Sequence, residues 1–517
     1  MRHFLGCVLC LLAVAPAGAA APRADLASLR GGTAIVQFTG GRTAFVAKLR
    51  AAGLGAVVLR RLPFAAVTGP RPLLRRVASL GSVVAVHMDR RVAFELHESV
   101  PMSYEGSAEK RAASIAAGFD GRGVNVAVVD TGTDGLHPDL INRVVRNVKV
   151  LDLKGLEDSV ELPSAPVYVE CPVACSTDTS GGHGTHVSGI IAGDGTASGG
   201  YQTGMAPGAG LVGISIGDGA TTFYALQAWD YLLAHQAELH VVAVNNSYGP
   251  GGGAWDARDP MNVASRKLHD AGIAVVFSGG NAGPGAGTDP AGASDCRPEV
   301  GTAADPVSGS PCKTNPWGVS PWAISVANGR KDMPGGPAAQ ALSFGTSRGD
   351  PTPERSIDGG YVIDYRPWIV APGTNIVSAR ALNGAAQATC GASAEPASCT
   401  GERPQDLPYY VPISGSSMAA PHVVGAIADI DSAAKKVLGR VLTPDEVKQL
   451  LADTAVPMTG KDFMYDWPFC PDLQLCGTVQ AGLTGKPYET WQVGAGYLDV
   501  DAAVRAVLAM ADDDSQS

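Results

Sequence analysis

Three short segments of the 517-residue chain each place one reactive side chain where a strand stops or a helix starts. The apolar run Val126–Val129 ends in the carboxylate of Asp130, followed by Thr131 and Gly132. Gly182-His183-Gly184-Thr185-His186 sets an imidazole just before a helical stretch, and Ser414-Gly415-Ser416-Ser417-Met418 sets a hydroxyl at the start of an apolar one. A serine hydroxyl becomes a useful nucleophile only when a base takes its proton. A histidine base in turn needs a carboxylate to fix its tautomer and stabilise the imidazolium. Asp130, His183 and Ser417 are the candidates for those parts. Acyl transfer also needs donors for a developing oxyanion. Asn281 supplies an amide after the buried run Ile273–Phe277 and the turn Ser278-Gly279-Gly280, and a helix starting near Ser417 offers a backbone N–H.

For these groups to meet, the elements carrying them must share one edge of a sheet. The runs Val124–Val129, Leu211–Ile216, His240–Val244 and Ile273–Phe277 are almost purely apolar, which suits parallel strands buried on both faces. Helical stretches at His186–Ala192, Phe223–Glu238 and Asn262–Ala271 separate them. The pattern predicts an α/β fold, a doubly wound and mostly parallel sheet flanked by helices. In such sheets function gathers at the carboxyl ends of the strands, which would let all three segments converge there.

Residues 22–95 read differently. Strands are expected at Thr33–Phe38, Leu54–Leu59, Phe64–Val67 and Val83–His87, with helices at Arg42–Ala52 and Pro72–Leu80. That order is βαββαβ, the ferredoxin-like arrangement. This stretch holds 12 basic and 3 acidic residues, a net of +9, whereas residues 96–517 hold 26 basic and 46 acidic ones, a net of −20. The change of sign marks a boundary between two units. The expected organisation is a signal peptide at 1–19, a leader unit at 20–95, a linker at 96–120, a main domain at 121–505 and a frayed acidic tail at 506–517.

Apolar residues make up 45% of the chain and charged ones 17%, which excludes a disordered solvating chain. The overall charge of −10 argues against a nucleic-acid footprint. Beyond the N-terminus no window is apolar enough for a membrane span. Met1-Arg2-His3, the apolar Phe4–Val14 and Ala17-Gly18-Ala19 describe a cleavable export signal. Cys7 and Cys10 would leave with it. Eight cysteines remain as close neighbours, Cys171/Cys175, Cys296/Cys312, Cys390/Cys399 and Cys470/Cys476. An even count in an exported chain suggests disulfides, although eight cysteines permit 105 connectivities. A zinc site at Cys171-Pro-Val-Ala-Cys175 would need a second Cys/His pair nearby, which the sequence lacks.

The segments VAVVDTGTDGLHPDL, GGHGTHVSGIIAG, GMAPGAGLVGI, VNNSYG, SGGNAGP, VAPGTNIVSA and SGSSMAAPHVVG together resemble the subtilisin-like serine protease family. The order Asp, His, Ser along the chain is also that of subtilisin. The likeness runs from about Gly121 to Ala503. It implies a serine endopeptidase in which Asp130 orients His183, His183 is general base then acid, Ser417 attacks and Asn281 stabilises the oxyanion. It implies that Ser247, Tyr248 and Gly249 bind the substrate backbone while Ser278, Gly279 and Gly280 line the opposite wall. Two departures stand out: Ser416 replaces the usual threonine, and Asn246 and Tyr248 are more polar or bulkier than is common there.

The same resemblance implies that the leader is an inhibitory propeptide, that polypeptides are the substrates, and that the product is a secreted, extracellular or periplasmic monomer. No nucleic-acid or membrane partner and no required cofactor are expected. Asp139 matches a position that ligates structural calcium in some relatives, but the loop Thr196–Gly204 lacks the usual asparagine. His186 and His422 read as helix-packing residues. Pro421 falls near the first helical turn, where a missing N–H costs little. Two other readings stay open: a catalytically inactive binding module on the same fold, and a peptide ligase or macrocyclase. Labelling by an organofluorophosphonate separates the first from an enzyme, and product masses separate the second from a hydrolase.

Overall fold

The computed structural model describes residues 32–51, 55–89, 97–98, 115–151, 167–172, 174–179, 181–217, 221–250, 254–281, 314–331, 337–343, 345–349, 354–355, 360–382, 408–459 and 487–514. The expected signal peptide and three of the four cysteine pairs lie outside them.

The leader forms β1 (Gly32–Phe38), α1 (Arg42–Ala51), β2 (Val57–Val58), β3 (Phe64–Gly69), α2 (Arg71–Ala78) and β4 (Val83–Met88), in an antiparallel sheet of order β2-β3-β1-β4. Alternation along a strand sends successive side chains to opposite faces. Ala34, Val36, Ala65 and Val67 therefore meet Phe45, Leu49, Leu74 and Val77 of the two helices. Ile35, Phe64 and Ala66 face the other way, into a cluster shared with the main body. The second strand is only two residues long, shorter than the predicted Leu54–Leu59. The chain beyond it turns outward, and the N–H groups of Arg60, Arg61 and Leu62 all donate to the Asp230 carboxylate, at 2.8, 2.5 and 2.9 Å.

Next along the chain come β5 (His97–Glu98), β6 (Asn125–Asp130), β7 (Val144–Val150), β8 (Tyr168–Cys171), α3 (His183–Ala192), β9 (Gly210–Ser215) and α4 (Thr222–Leu239). They are followed by β10 (Val241–Asn246), α5 (Pro260–Asp270), β11 (Ala274–Ser278) and β12 (Ala323–Gly329). The short pair β13 (Glu354–Arg355) and β14 (Val362–Ile363) precedes β15 (Ile369–Pro372), β16 (Ile376–Ala379), β17 (Tyr410–Ser414) and α6 (Ser416–Val437). Helices α7 (Pro444–Thr454), α8 (Thr490–Val493) and α9 (Val500–Asp514) complete the order.

The main sheet runs β15-β12-β11-β10-β6-β9-β7-β8 and is parallel except for the β7–β8 pair. In β6, Val126 and Val128 pack toward α3 and α6, while Ala127 and Val129 pack toward α4 and α5. Burial on both faces explains why these strands read as unbroken apolar runs. Strand β10 starts at Val241 because His240 is a left-handed residue (φ 46°) ending α4. The tail is helical to Asp514, where fraying was expected from about Val507. Its Ala-rich sequence favours helix, and Ala503, Val504 and Val507 are buried in the core.

Cys171, at the end of β8, and Cys175 lie with their Cα atoms 6.2 Å apart, within reach of a disulfide. A three-stranded sheet, β16-β17-β5, brings His97 opposite Ser414 and Glu98 opposite Ile413. The backbone after the leader therefore passes three residues from Ser417.

Candidate active site

Asp130 is the last residue of β6, and its neighbour β10 ends at Asn246, so both deliver their C-termini to one edge of the sheet. His183 is the first residue of α3 rather than lying before it. Asp178 explains this start. Its Oδ1 accepts the Gly182 N–H at 2.8 Å, and its Oδ2 accepts the N–H and hydroxyl of Thr185 at 3.0 and 2.7 Å. A carboxylate satisfying first-turn N–H groups also opposes the positive end of the helix. Thr131 Oγ1 takes the remaining Gly184 N–H at 2.8 Å.

The imidazole and the carboxylate meet: His183 Nδ1 lies 2.7 Å from Asp130 Oδ1, with both side chains buried. Facing a carboxylate, Nδ1 carries the proton, and Nε2 is left as the basic nitrogen. Burial alone would push the His183 imidazole down. The charge and hydrogen bond of Asp130, and then the charge of Asp178, outweigh that and raise it above the ordinary histidine value. Such a ring takes up a proton readily at the moment a hydroxyl gives one up.

Ser417 sits in the first turn of α6 and is 2% exposed. Its hydroxyl donates to the Ser247 carbonyl at 3.2 Å, and its own carbonyl accepts the Ser247 hydroxyl at 2.8 Å. The second contact corrects the expectation for Pro421. That proline lies in the second turn, so its missing N–H would have served the Ser417 carbonyl. Ser247 Oγ supplies the donor instead.

Asn281 is fixed beside this turn. Its Oδ1 accepts the Ser416 N–H at 2.8 Å, while its buried Nδ2 has no acceptor among the described residues. Helix geometry also leaves the N–H groups of the first turn without intrahelical partners. Ser416 keeps the hydroxyl function of the expected threonine, accepting the Gly280 N–H at 3.0 Å.

Ser247, Tyr248 and Gly249 follow the end of β10, and Ser278, Gly279 and Gly280 close β11 and follow it. Tyr248 and Asn246 do not present their side chains to the gap between these segments. Tyr248 is 1% exposed; its hydroxyl donates to Asn246 Oδ1 at 2.9 Å, and its ring meets Phe277 edge-on in the core. Trp229 Nε1 donates to the same amide oxygen. What the segments offer the gap is backbone.

His186 is buried, and its Nε2 lies 3.0 and 2.9 Å from the Ile376 and Val411 carbonyls. Burial pushes it down to about 3, so it stays neutral and braces α3 against β16 and β17. His422 Nδ1 lies 2.7 Å from the Met418 carbonyl one turn earlier. The Asp139 carboxylate does not fit a calcium ion. Its Oδ1 accepts the Ala197 N–H at 2.7 Å and its Oδ2 the Tyr410 hydroxyl at 2.6 Å, while Asp194 Oδ1 accepts Thr196 N–H and hydroxyl at 3.0 and 2.6 Å. These oxygens face hydrogen-bond donors, and no group of three metal-ligating side chains occurs among the described residues.

Asp178 and Asn315 were not singled out from the sequence. A signal existed for Asp178, an acid five residues before a helix-starting histidine. None existed for Asn315, whose partners are 37 and 67 residues away.

A carboxylate, an imidazole, a serine at a helix start and an oriented amide, on the carboxyl edge of a doubly wound sheet, define a serine hydrolase architecture. The model of the subtilase family of peptidases matches residues 121–474, and the chain belongs to that family. It is 27% identical over 392 residues to the serine protease AprX of Bacillus subtilis, covering 74% of this chain and 71% of that protein. It is 25% identical over 363 residues to the major intracellular serine protease of the same organism, covering 68% and 83%. Among solved structures, fervidolysin from Fervidobacterium pennivorans shares the fold, with a TM-score of 0.56 and 20% identity over 92% of this chain and 61% of that one. The chain is accordingly a serine-type endopeptidase that acts on polypeptides.

Proposed function

We propose that the chain is an exported endopeptidase working through an acyl-enzyme, with Ser417 as nucleophile, His183 as base then acid, and Asp130 as its orienting carboxylate. The observation that carries this reading is the oriented Asn281 amide. Its oxygen is held by the N–H of Ser416, and its buried N–H₂ has no acceptor among the described residues. An idle buried donor is costly unless something transient uses it. Ser417 Oγ turns from the Ser247 carbonyl, loses its proton to His183 Nε2 and bonds to the substrate carbonyl carbon. The oxyanion is held by Asn281 Nδ2 and the Ser417 N–H. His183 returns the proton to the leaving amine, the C–N bond breaks, and water repeats the sequence on the ester.

The substrate is held by backbone pairing with Ser247–Gly249 and Ser278–Gly280, which suits extended polypeptides of many sequences. With no charge on these segments, large apolar side chains before the cut bond are favoured. No cofactor is required. The leader acts as the inhibitor of its own enzyme, a reading supported by its apolar face on the main body and by the three N–H groups held at Asp230. Asp89 Oδ1, at the end of the leader, also accepts the Phe223 N–H at the start of α4, 3.1 Å away. Export and the disulfides rest on the N-terminal sequence and the even cysteine count. Among the described residues no helix is long and apolar enough to cross a membrane.

The test is organofluorophosphonate labelling of wild type and Ser417→Ala, with the products of a defined protein substrate weighed. Labelling confined to wild type and products gaining one water per cut are expected. An unlabelled wild type would leave the binding-module reading, and joined products would leave the ligase.

A further inference from the structure

The parallel ladder between β10 and β11 ends at the Asn246–Phe277 pair, just before the two proposed substrate walls begin. Beyond that point, among the described residues, one side chain hydrogen-bonds to both. Asn315 Nδ2 donates to the Tyr248 carbonyl at 3.0 Å on one wall and to the Ser278 carbonyl at 3.1 Å on the other. Its Oδ1 accepts the Trp317 N–H at 3.1 Å, which fixes which end of the amide faces the carbonyls. Its backbone N–H donates to the Gly279 carbonyl at 2.8 Å. Asn315 is buried, and both amide N–H groups are committed to the walls. It therefore has no side-chain donor to spend on a substrate, and its effect is on geometry.

Gly249 shows how close the fit is. A Cβ built there would stand 2.7 Å from Asn315 Nδ2. The wall can approach the amide only because this residue has no side chain.

We propose that Asn315 is a positioning residue that sets the separation of the two substrate walls, and through it the hold on an extended peptide over Ser417. The inference rests on the reading of Ser247–Gly249 and Ser278–Gly280 as those walls. Strands that end a ladder splay unless something ties them, and misplacement by about 1 Å costs up to roughly 100-fold in rate. A small activated ester, which reaches the nucleophile without lying along the walls, should not register the change.

The test compares wild type, Asn315→Ala, Asn315→Asp, Gly249→Ala and the Gly249→Ala/Asn315→Ala double variant, each expressed as the full chain. Active sites are counted by organofluorophosphonate titration, and rates are taken per titrated site. For the Asn315 variants a loss of roughly 10–100-fold in kcat/KM is expected on peptides long enough to span the walls, carried mainly by KM, with turnover of p-nitrophenyl acetate held within about 3-fold. Asn315→Asp keeps the shape and removes the donors, so it should fall in the same direction. In the double variant the new methyl gains room, so its loss should be smaller than the product of the two single losses. Gly249→Ala lies in a proposed wall, so only its coupling to Asn315→Ala is read, and the near-isosteric Asn315→Asp carries the test where Asn315→Ala does not fold. Equal loss on ester and peptide, no loss on peptide, or independent effects in the double variant would overturn the role of Asn315. A wild type that the probe does not label would overturn the peptidase reading itself, which is a different result.

Discussion

Ser417 and Ser247 are tied to each other twice, the carbonyl of each accepting the hydroxyl of the other, at 2.8 and 3.2 Å. Ser417, the proposed nucleophile, is thus anchored to a proposed substrate wall through the carbonyl that Pro421 leaves without a helical donor. Ser247→Ala should strand that buried carbonyl and cost about 1–3 kcal/mol of stability. Pro421→Ala restores an N–H to the helix, so the double variant should recover part of the loss. Melting curves of the four proteins in an inactive Ser417→Ala background, which keeps the Ser417 carbonyl, read the coupling directly. Strict additivity would mean that the proline and Ser247 are independent.

Asn281→Ala should lower kcat roughly 10²–10³-fold with little change in KM, the magnitude known for the oxyanion asparagine of subtilisin. Asn281→Asp keeps an acceptor for the Ser416 N–H but loses the donor, and should fall at least as far. A purely structural amide would instead show an Asn281→Asp enzyme of ordinary kcat and a lowered melting temperature.

Asp431, on the inner part of α6, is buried, and burial pushes its carboxyl up to about 7 although its Oδ1 accepts the Leu442 N–H at 2.8 Å. A folded-state value above the ordinary 3.8 means that the native protein holds the proton between about pH 4 and 7 where the unfolded chain has lost it. Stability from this group is full below that window and is lost as pH rises through 7. Asp431→Asn keeps the acceptor and removes the charge. It should stabilise the protein by about 1–3 kcal/mol at pH 8 and change little at pH 4. Thermal unfolding of the inactive Ser417→Ala protein at both pH values avoids self-digestion. A variant effect that is the same at both values would show that Asp431 does not titrate in this range.

Chelation should leave the melting temperature unchanged at the Asp139 loop, because the Tyr410 hydroxyl and the Ala197 N–H already satisfy the carboxylate. Tyr410→Phe should cost about 1–3 kcal/mol by removing one of those donors. A fall in melting temperature on adding EDTA, reversed by calcium, would place a cation at a site of the chain.

Asp130, His183, Ser417 and Asn281 stood out in the sequence because each sets a reactive group within two residues of glycine, near the start or end of an apolar run. Strands β6, β9, β10 and β11 of the main sheet were legible for a related reason: buried on both faces, they have no polar side to obscure them, whereas β7 and β8 carry exposed positions. Asn315 was not legible, since its meaning depends on two carbonyls that the fold brings together from distant segments. Nor was the help that Ser247 gives to Ser417, which spans 170 residues. Strand β2 is shorter than predicted, and the Arg60–Leu62 turn just after it is held by Asp230 on another unit, a partner no local pattern shows.

The turn Arg60-Arg61-Leu62 reaches Asp230 only through main-chain N–H groups. Any residue except proline presents such a group, so the leader's side of this contact is blind to its own side chains. Over evolutionary time the leader can therefore change its residues at these positions without losing its grip, while Asp230 cannot be exchanged so freely. The fit of the two units at this point is written in one side chain, that of Asp230, and the turn that meets it is free to vary.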